Sequence, residues 1–162
     1  MKVVISILVF ILLMGSSQQL SQIRETFPLA VNNEEITKKL FDDLSFVTNK
    51  EKEIFIAYKG AVSTLMAKYT QKAKEKKEFF KTGVDFLEYA LIKDPNNIEI
   101  RCLRLSIQEN TPKFLKYRAN IAEDKQFILD NYSTVTLKEV RDMVKNYALQ
   151  SSLFDHAEKQ LF

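Results

Sequence analysis

The sequence predicts an all-α domain of antiparallel helical hairpins, with six or seven helices. Three observations carry the prediction. Apolar residues recur at three- and four-residue steps through most of the chain, with no run of short alternating strands. Only three glycines and three prolines occur in 162 residues, which removes the tight turns that strand hairpins need. Capping signals punctuate the chain at intervals of helical length.

The first seventeen residues form a separate unit. Met1-Lys2 is a short positive start, Val3 to Met14 is an unbroken apolar run, and Gly15-Ser16-Ser17 supplies small residues. This is the layout of a secretory signal peptide, with cleavage expected before Gln18 and a cut after Ser21 as the alternative. The apolar run is shorter than the roughly 20 residues of a spanning helix. No stable membrane span is therefore expected after signal removal, and the protein is expected to be exported, periplasmic or secreted. Without residues 1–17 the chain has 145 residues, 23 basic and 21 acidic, a formal charge of +2. That balance argues against nucleic acid as an obligatory partner. Cys102 is the only cysteine, so no internal disulfide can form and the fold must rest on its core.

The expected elements follow in order. Residues 18–32 read as a partly irregular leader, with Phe27-Pro28-Leu29 packing against the domain, and residues 33–162 as a single all-helical domain. Asn33 caps a helix carrying Ile36, Leu40, Phe41 and Leu44. Thr48-Asn-Lys-Glu51 has the pattern of a capping box and opens a helix with Ile54, Phe55, Tyr58, Ala61, Val62, Leu65 and Tyr69 on its stripe. Residues 71–78, QKAKEKKE, form a charged bridge, either a loop or the solvated start of the next helix. Phe79, Phe80, Gly83, Val84, Leu87, Ala90 and Leu91 make that helix's apolar face. Asp94-Pro95 ends it, because the residue before proline avoids the helical region, and Asn96 or Asn97 caps its successor. Thr111-Pro112 repeats the device, with Thr111 as cap and Pro112 at the first helical position. Another helix spans Asn120 to Asp130. Thr136-Leu-Lys-Glu139 reads as a second capping box, for a helix burying Leu137, Val140, Val144, Tyr147 and Ala148. The tail, with Leu153-Phe154 and Leu161-Phe162, is apolar enough to dock.

Gly83, Leu87, Ala90 and Pro95 occupy spacings that resemble the second half of a tetratricopeptide repeat, whose small residues let helices approach and whose proline closes the hairpin. The resemblance covers about half a repeat. Gly60-Ala61 lies too far upstream for the first half, and no second copy follows at the repeat period. The chain also resembles small exported bacterial proteins. The resemblance implies a helical interaction module and carries over no ligand-binding residues.

Residues with chemical potential are few. A lone histidine, His156, excludes HExxH and multi-histidine metal sites, and it sits in the tail as a surface or capping residue. Cys102 lies on an apolar helix and reads as an inert buried thiol. Glu34-Glu35, Asp42-Asp43 and Glu123-Asp124 diverge as adjacent pairs on helices, and Asp85/Glu88 is interleaved with lysines. The run Lys72, Lys74, Lys76 and Lys77 alternates with Glu75 and Glu78 as a solvated helix end. No catalytic residue, cofactor or metal is expected, and the protein is read as a non-enzyme.

The helix from Ile98 to Gln108 raises the main functional question. On a wheel of 100° per residue, Asn97, Arg101, Arg104 and Gln108 fall within about 60° of one another, Glu99 and Ser106 make a smaller patch opposite, and apolar residues cover the rest. Arginine suits such a stripe, since its stem packs and its fork grips a carboxylate. The favoured reading pairs Arg101 and Arg104 with acids on adjacent helices, with Glu123, Asp124 and Asp85 as candidates. The alternative places the stripe in a groove between hairpins, lined also by Tyr58, Lys59 and Tyr117, where it receives a partner's acidic group or a small anion. The functional expectation is an exported interaction module holding an envelope protein or peptide segment, with a small-ligand or anion carrier at Arg101/Arg104 as the alternative.

Overall fold

The computed structural model describes residues 17–162, and the proposed signal segment lies almost wholly outside them. The described chain is all-helical. Residues 17–30 form α1, followed by α2 (Glu34–Asp43), α3 (Glu53–Tyr69), α4 (Ala73–Lys93), α5 (Ile98–Asn110), α6 (Ile121–Asn131), α7 (Lys138–Gln150) and α8 (His156–Lys159). Two short 3-10 turns, Lys113–Leu115 and Tyr132–Thr134, join the later helices.

The leader, expected to be partly irregular, is helical over residues 17–30 and leaves the helix only at Val31 and Asn32. Ile23, Phe27 and Ala30 are buried while Leu29 is exposed, so a four- and three-residue step sets its buried face. Pro28 lies inside this helix. The charged bridge resolves as the solvated start of α4, which begins at Ala73.

Asparagine caps form as expected. Asn33 Oδ1 accepts from the Ile36 amide at 3.0 Å, and Asn97 Oδ1 accepts from the Glu99 and Ile100 amides. The threonine signals act differently. Thr48 accepts from the Lys50 amide in a local turn, and α3 starts only after Lys52. Thr111 closes α5, its hydroxyl donating to the Ile107 carbonyl, and Pro112 leads into a 3-10 turn instead of an α-helix. Thr136 caps nothing. α7 follows Leu137, which is half exposed rather than buried, and Glu139 turns outward to α1. Threonine hydroxyls bond to nearby backbone in several geometries, so the S/T-x-x-E spacing alone does not fix a box. The box that does form is Asp155 with Glu158, at the start of α8.

α3 and α4 make the tightest hairpin, meeting at Gly60 and Gly83. α5 then lies between two apolar clusters. Ile100, Leu103 and Ile107 join the cluster of α1–α4. Cys102 and Leu105 join Ile128, Tyr132, Val140, Val144, Ala148 and Phe154. This double duty is why α5 is apolar around most of its circumference. The tail docks through Phe162, whose ring packs on Tyr132 and Phe154 and whose carbonyl accepts from Lys145 Nζ at 2.6 Å.

Candidate functional site

The two arginines of the α5 polar stripe are satisfied from within. Arg104 grips Asp124 in a two-point fork, Nε to Oδ2 at 2.6 Å and NH2 to Oδ1 at 2.7 Å, and its NH1 donates to Glu88 at 3.0 Å. Arg101 NH1 donates to Glu123 and Asp124, its Nε donates to the Pro95 carbonyl, and its guanidinium stacks 4.3 Å from the Phe127 ring centroid. Asp124 is fully buried. Such a carboxylate is tolerable only because two guanidinium groups hold it. Tyr117 donates to Glu88, which completes the network. Gln108, one turn beyond Arg104, is fully buried, and neither amide atom has a hydrogen-bond partner.

The expected acids Glu123 and Asp124 are therefore the partners. Asp85 is not. It pairs with Lys81 at 3.7 Å on an exposed face, and Glu88, one turn later on α4, reaches Arg104 in its place. Asp85 and Glu88 consequently share no site.

The six sequence-derived contact residues do not gather in one groove. Arg101, Arg104, Gln108 and Tyr117 belong to the α4–α5–α6 side. Tyr58 is fully buried on another side of α5, where its hydroxyl donates to Glu99 at 2.8 Å. Burial first, and the Glu99 charge second, hold that phenol protonated well above its ordinary range. Lys59 donates to the Val47 and Ser45 carbonyls and lies over Phe86, tying the α2–α3 loop to α4. Burial lowers its ammonium pKa.

The groove that does exist runs on a different face. Its volume is about 1480 Å³, and neither Arg101 nor Arg104 lines it. α5 supplies the floor with Cys102, Leu103, Ser106 and Ile107. Phe27 and Pro28 of α1, with Val31 just past it, make one wall, and Asp142, Met143, Asn146 and Tyr147 of α7 make the other. Leu65 and Lys68 of α3 and Lys76, Lys77 and Phe80 of α4 complete one end, beside Phe114 and Leu115.

Two salt-bridged residues close the opposite end. Arg24 on α1 donates to both oxygens of buried Glu99 at 2.8 Å and, through NH1, to Glu139 of α7 at 3.0 Å. Burial opposes the Arg24 charge, but bonds to Glu99 and Glu139 outweigh it and raise its pKa. The sequence placed Glu99 in a small polar patch but gave no hint of its partner. Arg24 lies 75 positions away, in a segment read as leader.

At the far end, Glu109 accepts from Tyr147, Ser151 and Ser152 and so ties the start of the tail to α5. Cys102 faces the groove yet is 2% exposed, and burial pushes its thiol far above the usual range. His156 is exposed on α8. No cluster of three or more potential metal ligands occurs among the described residues, and none of their helices is long and apolar enough to cross a membrane.

No protein family model matches the chain, and neither a curated protein nor a solved structure matches it.

Proposed function

We propose that this chain is an exported, non-enzymatic helical protein that holds a segment of another cell-envelope protein in the groove over α5. The observation that carries the reading is the groove itself, about 1480 Å³ and floored by Leu103 and Ile107 between residues of α1 and α7. The apolar start of the chain supports export, and the half-repeat at Gly83 to Pro95 resembles a family of helical interaction modules. The buried guanidinium groups of Arg101 and Arg104 already meet protein acids, so this reading moves from the arginine stripe to the opposite face of α5 and is favoured over an anion carrier at that stripe.

The test is affinity capture of the tagged protein from its host's envelope fraction, beside the variant Ser106→Trp, which fills the groove floor. One protein recovered at near-equal stoichiometry and lost with Ser106→Trp supports the reading. A partner retained by Ser106→Trp overturns the groove as its site. A preparation that carries only a small molecule, seen by native mass spectrometry, overturns the interaction module in favour of a carrier.

A further inference from the structure

We infer that the occupant of the groove is a single amphipathic helix of about three turns, seated antiparallel to α1 and α7 with acidic residues in its first turn. The inference rests on the groove reading above and deepens it.

Size comes first. Along α7 the groove runs from Glu139 to Gln150, eleven residue steps, or about 16 Å at ~1.5 Å per residue. A helical cylinder of that length and ~10 Å diameter fills about 1,300 Å³. The groove's 1480 Å³ is close to that value and larger than the roughly 300–1,000 Å³ of small-molecule sites. A rod between two helices and above a third is how bundles pack.

Direction comes from the ends. α1 and α3 run the same way, since Lys68 and Tyr69 at the end of α3 both donate to the carbonyl of Val31, just past α1. α5 and α7 also run together, since Glu99 and Glu139 both meet Arg24 while Glu109 meets Tyr147 and Ser151. Arg24 links the two pairs at the closed end. Four helix C-termini therefore surround the open mouth. Their partial negative charge favours the N-terminus of an inserted helix.

Charge at the mouth then selects the first turn. Lys76 and Lys77 line it, both are exposed, and neither side-chain ammonium makes a hydrogen bond or ion pair among the described residues. Acidic side chains on the α4-facing side of the first turn satisfy the inserted helix's own dipole and these lysines together, while the side of that turn facing Glu109, between α5 and α7, stays uncharged. Phe114, 79% exposed, stands at the same mouth to cover the helix's apolar side.

The experiment uses two fluorescein-labelled, helix-stabilised twelve-residue peptides with the same leucine face. One has glutamates in its first turn and lysines in its last, and its twin has these charges exchanged. Fluorescence polarisation against the purified protein is expected to show the acid-first peptide binding at least tenfold more tightly. Lys76→Glu/Lys77→Glu is expected to abolish or reverse that preference, and Ser106→Trp to remove binding of both, with circular dichroism showing each variant folded. Equal affinities, a preference that survives the charge reversal, or no binding of either peptide would overturn the inference. So would oleate or anionic vesicles displacing the peptide at stoichiometric levels, or a groove-dependent dimer in sedimentation. A partner captured in a Ser106-dependent manner together with equal peptide affinities would overturn this occupant and leave the groove reading standing.

Discussion

Gly60 and Gly83 meet backbone to backbone. A Cβ on Gly60 would lie 2.7 Å from the Gly83 carbonyl oxygen, and one on Gly83 would lie 2.6 Å from that of Gly60 and 2.8 Å from the Thr64 amide nitrogen. Apart from the Thr64 methyl, also 2.6 Å from the Gly83 position, the obstacles are backbone atoms of two long helices, so little can yield. Gly83→Ala is expected to destabilise by about 1–3 kcal/mol through overpacking, despite the ~0.5–1 kcal/mol that alanine gains in helix propensity. At roughly 2–4 °C per kcal/mol for a chain of this size, the melting temperature should fall by several degrees. Lys81→Ala, on an exposed face of the same helix, should change it little. An unchanged melting temperature for Gly83→Ala would show that α3 and α4 are not in such contact.

Arg104→Leu removes the fork that holds Asp124. The carboxylate is completely buried and keeps only Arg101. Stranding such a charge costs roughly 3–5 kcal/mol. Urea denaturation should show a loss of that order, and the double variant Arg104→Leu/Asp124→Leu should recover much of it, because a buried ion pair exchanged whole for apolar residues is often near neutral. A double variant as unstable as the single one would place the cost in packing rather than in the unpaired charge.

The helices and their faces were legible in the sequence because burial in a helix leaves a local period, as in Leu40–Leu44 or Gly83–Leu87–Ala90–Leu91. Asn33 and Asn97 were legible because an amide cap acts within three residues. The partnership of Arg101 and Arg104 with Glu123 and Asp124 followed from a wheel and a reach of one helical hairpin. What was not legible is non-local. Nothing near Glu99 names Arg24, and nothing in residues 18–32 says that this segment walls a groove. The period places Tyr58 on its helix's apolar stripe, and only the alternative groove reading sets it beside Lys59 and Tyr117. Only the packing of α1 shows that the face is sealed there and that the hydroxyl serves Glu99. The choice between Asp85 and Glu88 turns on about one helical turn, finer than pattern reading resolves.

Arg24→Ala tests whether α1 belongs to the fold. Glu99, 4% exposed at its side chain, would keep only the Tyr58 hydroxyl, and Glu139 would keep only the Ser21 hydroxyl as its link to α1. Hydrogen exchange in residues 17–30 should accelerate at least tenfold while the α3–α4 hairpin keeps its protection. Equal exchange in both proteins would show that Phe27 and Ile23 hold α1 without the salt bridge.

Cys102 should not react with a thiol reagent such as Ellman's reagent in the folded protein. It is 2% exposed, and desolvation followed by the Glu99 and Asp124 charges holds it protonated, while the thiolate is the reactive form. Full labelling in denaturant with less than about a tenth as much labelling under native conditions in the same time is the expected result. Fast native labelling would mean that the groove floor opens to solvent.

Glu109 gives the tail junction a pH dependence of predictable sign. Burial works against its charge, but hydrogen bonds from Tyr147, Ser151 and Ser152 outweigh it and leave the pKa below the ordinary value of 4.5. A carboxyl group whose folded pKa is depressed contributes stability that is present above its unfolded pKa and lost as pH falls through the folded one. Glu109→Gln should therefore melt lower than the wild type at pH 7. The gap should begin to narrow below about pH 4.5 and should close further as the folded value is passed. The site is partly solvated, so the difference is expected to be modest beside that of Arg104→Leu. Thermal melts of both proteins from pH 7 to pH 3 measure it. A constant gap across that range would assign the Glu109 contacts to neutral hydrogen bonding and remove the carboxylate charge from the account of how the tail is held.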